Sequence, residues 1–332
     1  MSGSTAVRVL FVVPRGPGPG AMSFVDRLAE ALRAEGVHVE TMRVRTLFRP
    51  WVFGPQLLQI VGLARRGRFD ILHAQYGTYT GLITGLAAAL TRRTVVVTFR
   101  GSDLNPVPSE HPIKLRLQHL CSQLAALLAD AVVCVSGQLV PRLWRSKPRL
   151  AIIPSSTDVD RFRPLEQSAC RQRLGWEADG PVCVFFCGNN AAVKRADLAQ
   201  AVRSRVGERA PDVRVEIVPM VALDDVPTYL NAADCLLFLS DYEGSPNLIR
   251  DACACALPIV TVDVGDVRSV LEGVDWCRVV ERNEEAIADA VVDLAKRRVR
   301  SNGRATAMRY GNQATARRMI AFYATVAGGA DA

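Results

Sequence analysis

The sequence predicts an α/β protein made of two doubly wound domains, each with a parallel sheet. Three observations carry this prediction. The chain has 332 residues, which is more than a single hydrophobic core usually organises. Short apolar runs alternate with helical stretches, a pattern typical of parallel strands that are buried on both faces. The alternation pauses once, over residues 154–164, and then resumes.

The first domain is expected over residues 1–160. Its strands are predicted at Val7–Val13, Val37–Arg43, Asp70–Ala74, Thr94–Phe99, Ala131–Val135 and Leu150–Ile153. Helical stretches lie between them, at Ser23–Ala34, Tyr79–Leu90 and Ile113–Leu128. Because parallel neighbours need a crossover, this order indicates repeated strand–helix–strand units.

The second domain is expected over residues 161–304, after a loop or linker at Pro154–Pro164 that is rich in turn residues. Its strands are predicted at Val182–Cys187, Val213–Val218, Asp234–Phe238, Leu257–Val262 and Cys277–Val280. A helical tail over residues 305–328 follows the last unit. In two such domains the carboxyl ends of the strands are the natural ligand-binding edges, and we expect them to face a cleft.

Composition narrows the class of protein. Hydrophobic residues make up 49% and charged residues 22% of the chain, as in ordinary globular proteins. No apolar run reaches the length of a membrane span, and the first residues lack the charged start and cleavage site of a signal peptide. We therefore expect a cytoplasmic protein. The nine cysteines form no CxxC pair or zinc-type cluster and are interpreted as small core residues.

The net charge of +8 suits nucleotide phosphates, acidic substrates or an anionic membrane surface. We expect no nucleic-acid partner, since no basic platform interleaved with aromatic residues is present. Basic and aromatic residues do mix in one stretch, which contains Arg43, Arg45, Phe48, Arg49, Trp51 and Phe53. Pro50, Gly54 and Pro55 should interrupt any long helix there. A partly buried connection is expected, with peripheral membrane contact as the alternative.

Residues 240–263 contain the most informative segment. Glu243 lies on a loop after the predicted strand, and Ser245 with Pro246 is a good N-cap and first-turn pair for the helix that follows. Asn247 and Asp251 are four residues apart and share a face of that helix. A helix N-terminus at the end of a buried strand binds anions. The segment therefore predicts a site for a nucleoside diphosphate that carries a polyol.

Polar residues also follow strands of the first domain. Gly18 and Gly20 belong to a loop that permits close approach of a ligand but lacks a dinucleotide fingerprint. His73 ends a strand, where a packed core side chain is the alternative to a ligand contact. Asp103 follows Arg100 by three residues and either binds hydroxyl groups or caps a turn.

These segments, in this order, resemble the retaining GT-B glycosyltransferases of family 4. Glu243 is separated by seven residues from Asp251, where a second glutamate is usual, and Ala256-Leu-Pro-Ile-Val follows. Asp70-Ile-Leu-His73-Ala-Gln75 resembles a second motif of the family, with glutamine in place of histidine. Arg100-Gly-Ser-Asp103 resembles a third, with arginine in place of histidine. Ile152–Phe162 resembles the family's linker between domains.

The resemblance implies two Rossmann-like domains, with the tail helix 305–328 packing back on the first. It implies a donor site formed by Gly18, Gly20, Asn189, Lys194, Arg195, Glu243, Gly244, Ser245, Pro246, Asn247, Leu248 and Asp251. Acceptor-side residues would be His73, Gln75, Tyr76, Arg100 and Asp103. The groups that would act in catalysis are Glu243, Lys194, Arg100 and Asp103. Asn189 stands where the family has a phosphate-binding arginine, and Arg195 is the candidate replacement.

The implied reaction moves a sugar from a UDP-, GDP- or dTDP-linked donor to a hydroxyl group, with retention of configuration by a front-face mechanism. The acceptor would be a carbohydrate, a lipid-linked molecule or a small natural product. No cofactor is expected, and no metal either, because no DxD-type metal site is recognised in the sequence. Two alternatives stay open, a nucleotide-sugar epimerase or hydrolase and a catalytically silent partner protein of the same fold.

Overall fold

The structure is a computed structural model that describes residues 7–16, 22–45, 50–105, 112–145, 147–188 and 190–327. Three of the predicted site residues, Gly18, Gly20 and Asn189, lie outside these ranges. The chain divides into two compact units. Unit 1 comprises Met1–Ser156 and Asn312–Ala332, and unit 2 comprises Thr157–Gly311.

Unit 1 contains a parallel sheet of six strands in the order β2-β1-β3-β4-β5-β6. The strands are β1 (Arg8–Pro14), β2 (His38–Val44), β3 (Ile71–Ala74), β4 (Thr94–Phe99), β5 (Ala131–Cys134) and β6 (Leu150–Ile152). The chain runs from β1 to one side for β2 and to the other side for β3. The carboxyl ends of β1 and β3 therefore form a topological switch point, where ligands bind in open α/β sheets.

Helices cover both faces of this sheet. They are α1 (Ser23–Ala34), α2 (Pro50–Arg66), α3 (Tyr79–Thr91), α4 (Pro112–Leu128) and α13 (Asn312–Ala327), with a short 3-10 turn at Gly137–Arg142. One core packs side chains of α1 and α13 against the sheet. The other core, on the opposite face, packs side chains of α2, α3 and α4.

Unit 2 contains a parallel sheet of five strands in the order β11-β10-β9-β7-β8. The strands are β7 (Val182–Phe186), β8 (Arg214–Val218), β9 (Cys235–Phe238), β10 (Ile259–Val262) and β11 (Cys277–Val280). Its helices are α5 (Gln167–Leu174), α6 (Ala191–Lys194), α7 (Ala196–Arg209), α8 (Val226–Ala232), α9 (Asn247–Ala254), α10 (Val267–Val270), α11 (Glu284–Arg297) and α12 (Gly303–Met308). The switch point lies between β7 and β9.

The predicted fold class is confirmed. Every predicted strand is present, and no boundary moves by more than two residues. Apolar runs locate buried parallel strands well because such strands are hydrophobic on both faces. None of the helices in the described ranges is both long and apolar enough to cross a membrane.

One helix prediction is wrong. The helix α2 continues through Pro55, which we expected to interrupt it. Pro55 is near the start of the helix, so its missing N–H removes one bond, to the carbonyl oxygen of Trp51. Gln56 Nε2 donates to the next carbonyl oxygen, that of Val52, at 3.1 Å. Phe48 and Arg49, from the same basic and aromatic stretch, lie outside the described residues.

The predicted tail helix is divided into two helices, α12 and α13. Between them, the Tyr310 carbonyl oxygen accepts a hydrogen bond from the Thr157 amide at 2.9 Å. This contact holds the end of α12 within unit 2. Only α13 belongs to unit 1, where it packs against α1.

Candidate functional site

The switch point of unit 2 brings together two charged residues that are distant in the sequence. Lys194 is the last residue of α6, in the segment after β7, and Glu243 lies in the loop after β9. Lys194 Nζ donates to Glu243 Oε1 at 2.5 Å. The two side chains are 29% and 19% exposed, so both are sheltered but open to a ligand. The Phe238 ring lies beneath Lys194, with Nζ 5.4 Å from its centroid.

Asp241 fixes the relative position of these two loops. Its amide donates to the carbonyl oxygen of Val193 at 2.9 Å. Its carboxylate lies 3.3 Å from Arg195 Nη1 and 2.8 Å from Arg282 Nη1. Arg282 also donates to the two carbonyl oxygens that precede Asp241 in the chain, at 2.8 and 3.1 Å. Lys194 and Glu243 are therefore held on a hydrogen-bonded frame.

Arg282 was missed by the sequence analysis. It lies just beyond the carboxyl end of β11, two strands away from β9 in the sheet. An arginine after a strand at the ligand-binding edge of an α/β sheet was the signal available. Its role here is positioning, since its guanidinium binds backbone and carboxylate oxygens of the β9 loop.

Arg195, the candidate replacement for the family arginine, is already held by two carboxylates. Its guanidinium donates to Asp197 at 2.9–3.1 Å and to Asp241 at 3.3 Å. The hydrogen bond with Asp197 is the main reason that the pKa of Arg195 is raised above its usual value. The structure thus places Arg195 next to Lys194, with its positive charge already paired with the carboxylates of Asp197 and Asp241. Its contact with a diphosphate stays a prediction.

The helix α9 begins at Asn247, with Pro246 as the preceding residue and no side chain capping the first turn. The expected N-cap, Ser245, is not one. Its Oγ donates instead to Asp266 Oδ2 at 2.9 Å. Asn247 Oδ1 is buried and has no hydrogen-bond partner among the described residues. An uncapped helix start with an unsatisfied polar atom beside it is suited to an anionic, hydroxyl-bearing ligand.

A buried ion pair anchors α9 from behind. Arg250 is 0% exposed and donates through Nη2 to Asp266 Oδ2. Burial raises the pKa of Asp266, although the charge of Arg250 and the hydrogen bond from Ser245 oppose that shift. Gly265, with φ of +58°, allows this segment to approach the Glu243 loop, since a Cβ at this position would lie 2.9 Å from the Gly244 carbonyl oxygen. The sequence analysis missed both members of the ion pair.

Asp251, the second acid of the motif, is 8% exposed. The hydroxyl group of Thr157 donates to its Oδ1. Leu248 lies partly buried against the core of unit 2, and Gly244 is buried. In the structure, Asp251 thus accepts a hydrogen bond from the first residue of unit 2. Its contact with ribose stays a prediction.

In unit 1, His73 lies in the core rather than at an accessible edge. It is 0% exposed, with Nδ1 at 2.6 Å from the hydroxyl oxygen of Tyr323 and Nε2 at 2.7 Å from that of Thr98. Burial, with a smaller contribution from the charge of Arg100, lowers the pKa of His73 to about 3. These surroundings match the alternative interpretation of His73, in which it is a packed core side chain.

Gln75, Arg100 and Asp103 form one network. Arg100 donates to the Gln75 carbonyl oxygen at 3.0 Å and to Gln75 Oε1 at 2.5 Å. Its guanidinium carbon lies 4.5 Å from the centroid of the Phe24 ring. Burial lowers the pKa of Arg100 to about 10. Gln75 is 0% exposed, so Arg100 holds it as an interior side chain.

Asp103 is 2% exposed and accepts from the amides of Gly77, Arg100 and Gly101 at 2.9–3.0 Å. Burial raises the pKa of Asp103 despite these bonds. This geometry is that of a turn cap, the second alternative given for it. Among the predicted acceptor-side residues, Tyr76 and Arg100 are the two that are partly exposed.

Within the described ranges, no group of three or more histidine, cysteine, aspartate or glutamate side chains is arranged to hold a metal ion. The expected independence from metals stays a prediction.

Comparisons with known proteins agree with this architecture. A model of the family described as Glycosyltransferase Family 4 matches residues 7–161, and a model described as Glycosyl transferases group 1 matches residues 174–297. A putative teichuronic acid biosynthesis glycosyltransferase of Bacillus subtilis is 24% identical over 67% of this chain. A D-inositol 3-phosphate glycosyltransferase of Geodermatophilus obscurus is 26% identical over 50% of it. The matches span 60% and 45% of the length of those relatives.

Solved structures share the fold. Sucrose-phosphate synthase from Thermosynechococcus elongatus superposes with a TM-score of 0.76 at 16% identity, over 98% of this chain and all of that one. Anabaena HepE in complex with UDP-glucose gives a TM-score of 0.74 at 16% identity, over 96% of this chain and 99% of that one. UDP-GlcNAc 2-epimerase from Methanocaldococcus jannaschii gives 0.63 at 12% identity, over 96% of this chain and all of that one.

Proposed function

This chain belongs to glycosyltransferase family 4, the group 1 glycosyl transferases, and from that membership we propose that it transfers a sugar from a nucleoside diphosphate sugar to an acceptor hydroxyl group. We further propose that unit 2 binds the donor and unit 1 the acceptor. The observation that carries the proposal is the Lys194–Glu243 pair beside the uncapped start of α9.

Lys194 is the group that binds the diphosphate. Negative charge develops on the leaving diphosphate as the glycosidic bond breaks, and positioned donors stabilise it. A lysine ammonium has three N–H donors, and Glu243 accepts from it at one of them. The others can donate to phosphate oxygens. The first-turn amides of α9, which no side chain caps, supply further donors.

Glu243 binds the donor sugar. Its Oε1 accepts from Lys194, which leaves Oε2 for a sugar hydroxyl group. Asn247 Oδ1, buried without a partner among the described residues, can accept from a second hydroxyl group of the donor. Carboxylate and amide oxygens arranged in this way fix the donor's orientation, which is a large part of the rate enhancement in group transfer.

The proposed reaction retains configuration and needs no enzymic nucleophile. The acceptor oxygen forms a bond to the anomeric carbon on the face from which the diphosphate departs. The electron pair of the broken C–O bond goes to the diphosphate, and a diphosphate oxygen takes the acceptor's proton. Lys194 and the α9 amides stabilise the charge, and Glu243 holds the sugar.

The acceptor is a polyol or sugar hydroxyl group in this proposal. Of the relatives named above, one carries a name that assigns it to teichuronic acid biosynthesis, and another is named for D-inositol 3-phosphate, which is a polyol. In unit 1, Tyr76 and Arg100 follow β3 and β4 and are partly exposed. They are our candidates for the acceptor contact, with Gln75 and Asp103 as positioning residues.

A nucleotide-sugar epimerase is the competing function, since one shares the fold. Epimerisation requires groups that remove and return protons, and histidine is the side chain that most often does so. The part of the chain that forms unit 2, residues 157–311, contains no histidine. In unit 1, His73 is enclosed in the core. These observations favour transfer over epimerisation.

Nucleotide binding tests the donor site. Thermal denaturation should be followed with UDP, GDP and dTDP, starting with UDP because HepE was solved with UDP-glucose. At a hundredfold excess over Kd, a ligand that binds only the folded state stabilises it by about 2.7 kcal/mol. Lys194→Met should raise Kd by roughly tenfold to a hundredfold, the value of a hydrogen bond to a charged group.

The matched control is Lys296→Met, which removes a lysine of unit 2 that is paired with Asp212 on the surface. It should bind nucleotide like the wild type. If no nucleotide stabilises the protein, or if the two variants bind equally, the donor site is wrongly assigned and a catalytically silent protein becomes the better description. Incubation with the donor sugar alone separates the activities, because an epimerase would change the sugar without any acceptor.

A further inference from the structure

The helix α4 of unit 1 exposes a row of large apolar side chains. They are Ile113, Leu117, Leu120, Leu124, Leu127 and Leu128, with exposed fractions of 69, 42, 42, 37, 42 and 38%. Spacings of three and four residues place them on one face of the helix. Soluble helices normally present polar residues on this side, so a continuous apolar face marks an interaction surface. We call these six residues the leucine stripe.

A basic cavity of about 430 Å³ lies at the C-terminal end of the stripe and is lined by Leu128 together with Arg92, Arg93 and Arg149. None of these three guanidinium groups has a hydrogen bond or ion pair to any residue in the described ranges. One acid, Asp130, also lines the cavity, and its Oδ2 accepts from the Val95 amide at 2.8 Å. We call the three arginines the arginine pocket.

A second cavity, of about 360 Å³, flanks the other half of α4 and is lined by Leu120, Trp144, Arg116 and Arg142 among others. Trp144 is 60% exposed, and its ring centroid lies 6.1 Å from that of His119. Tryptophan and arginine beside exposed leucines are the residue types that favour the boundary between lipid headgroups and acyl chains.

The charge of this surface identifies its partner. Between Pro112 and Thr157 the sequence has six lysine and arginine residues and a single acid, Asp130. A second copy of the chain would bring two basic surfaces together, which is unfavourable. An anionic lipid surface is complementary to both features, because it attracts the basic residues and accepts the leucines.

We propose that the leucine stripe and the arginine pocket form a peripheral docking surface for an anionic phospholipid bilayer. The leucines and Trp144 enter the interface, and the arginine pocket binds the phosphate of a lipid headgroup. The inference concerns α4 and its neighbours in unit 1 and does not depend on the glycosyltransferase activity, so its failure would leave that proposal untouched.

Co-sedimentation of the full chain with vesicles tests the inference. Vesicles of pure phosphatidylcholine should be compared with an equimolar mixture of phosphatidylcholine and phosphatidylglycerol, each at low and high salt. The wild type should sediment with the anionic vesicles only, and high salt should release it, because salt screens the attraction of the basic residues.

Two double variants separate the parts of the surface. Arg92→Gln/Arg149→Gln should weaken binding by about fivefold for each arginine removed. Leu117→Gln/Leu124→Gln should weaken it by about tenfold or more, since two apolar side chains are lost from the interface. The matched control, Leu165→Gln/Arg203→Gln, changes an exposed leucine and an exposed arginine of unit 2 and should bind like the wild type.

The inference is overturned if the wild type does not bind anionic vesicles, if it binds pure phosphatidylcholine equally, or if both surface variants bind like the control. Analytical ultracentrifugation without vesicles tests the alternative partner of this surface, a second copy of the chain. Self-association that Leu117→Gln/Leu124→Gln abolishes, without vesicle binding by the wild type, would assign the stripe to a second copy of the chain. The arginine variant keeps the test valid if the leucine variant does not fold.

Discussion

Acidification should destabilise unit 1 through a single buried side chain, His73. It is 0% exposed, and its two ring nitrogens contact the hydroxyl groups of Tyr323 and Thr98. Its pKa falls from the usual 6.5 to about 3, because burial and the charge of Arg100 disfavour the imidazolium. In the unfolded chain the same imidazole is hydrated and takes up a proton near neutrality.

The direction of this pH effect on stability follows from proton binding. Between about pH 6.5 and pH 3 the unfolded state holds a proton on His73 that the folded state lacks, so stability is fully present above this window and is lost as the pH falls through it. At pH 5 the loss amounts to about 2 kcal/mol relative to pH 7. Below pH 3 it reaches about 5 kcal/mol.

Urea unfolding at pH 7, 6 and 5 measures this effect. The four tryptophans divide evenly, with Trp51 and Trp144 in unit 1 and Trp176 and Trp276 in unit 2. A Trp176→Phe/Trp276→Phe background therefore makes tryptophan fluorescence report on unit 1 alone. The free energy of unfolding is compared between this background and the same background with His73→Gln, which cannot titrate.

The His73→Gln protein should be less stable at pH 7, because its contacts with Tyr323 and Thr98 change. The difference in free energy of unfolding between this variant and the protein with His73 should be about 2 kcal/mol smaller at pH 5 than at pH 7. His38→Gln is the control, since His38 is 44% exposed and its ring meets water in both states. A constant difference between wild type and His73→Gln across this pH range would refute the reasoning and show that His73 is protonated or hydrated in the folded protein.

Two further predictions concern the frame of the donor site. Asp266→Ala leaves the buried guanidinium of Arg250 without its carboxylate and should lower the free energy of unfolding in urea by about 3–5 kcal/mol. The control Asp263→Ala breaks an exposed ion pair and should lower it by no more than about 1 kcal/mol. Equal losses would show that the buried pair is solvated. Gly265→Ala and Gly273→Ala both strain a residue with positive φ, by about 1 kcal/mol each. Only Gly265→Ala drives a Cβ into the Glu243 loop, so it alone should weaken UDP binding, as isothermal titration would show.

The fold was predictable because its signals are local. Parallel strands buried on both faces appear as apolar runs such as Thr94–Phe99, whose bounds agree with the structure. The errors arose where a local rule met a particular context. Pro55 falls early enough in α2 that one lost hydrogen bond does not end the helix. Ser245 has the residue type of an N-cap, yet Asp266, distant in the sequence, takes its hydroxyl group.

The candidate site was predictable in part. Glu243 was named as a candidate from the loop and helix start that follow the strand, and Lys194 from the resemblance to the family. Their direct contact follows from the strand order, because β7 and β9 are neighbours at the switch point. Arg282 and Asp266, which hold this arrangement, lie in other segments. The position of Arg282 after a strand was a signal, whereas Asp266 had none.

The sequence by itself determined the strands, the order of the two doubly wound units and the family, because hydrophobic periodicity and short motifs are properties of neighbouring residues. Only the tertiary structure decided which polar side chains at the strand ends stay available to a ligand. His73 is enclosed by Tyr323, 250 residues further along the chain, and Asp103 is consumed by three backbone amides. A side chain's partners depend on which distant segments the fold brings beside it, and that information does not reside in any one motif.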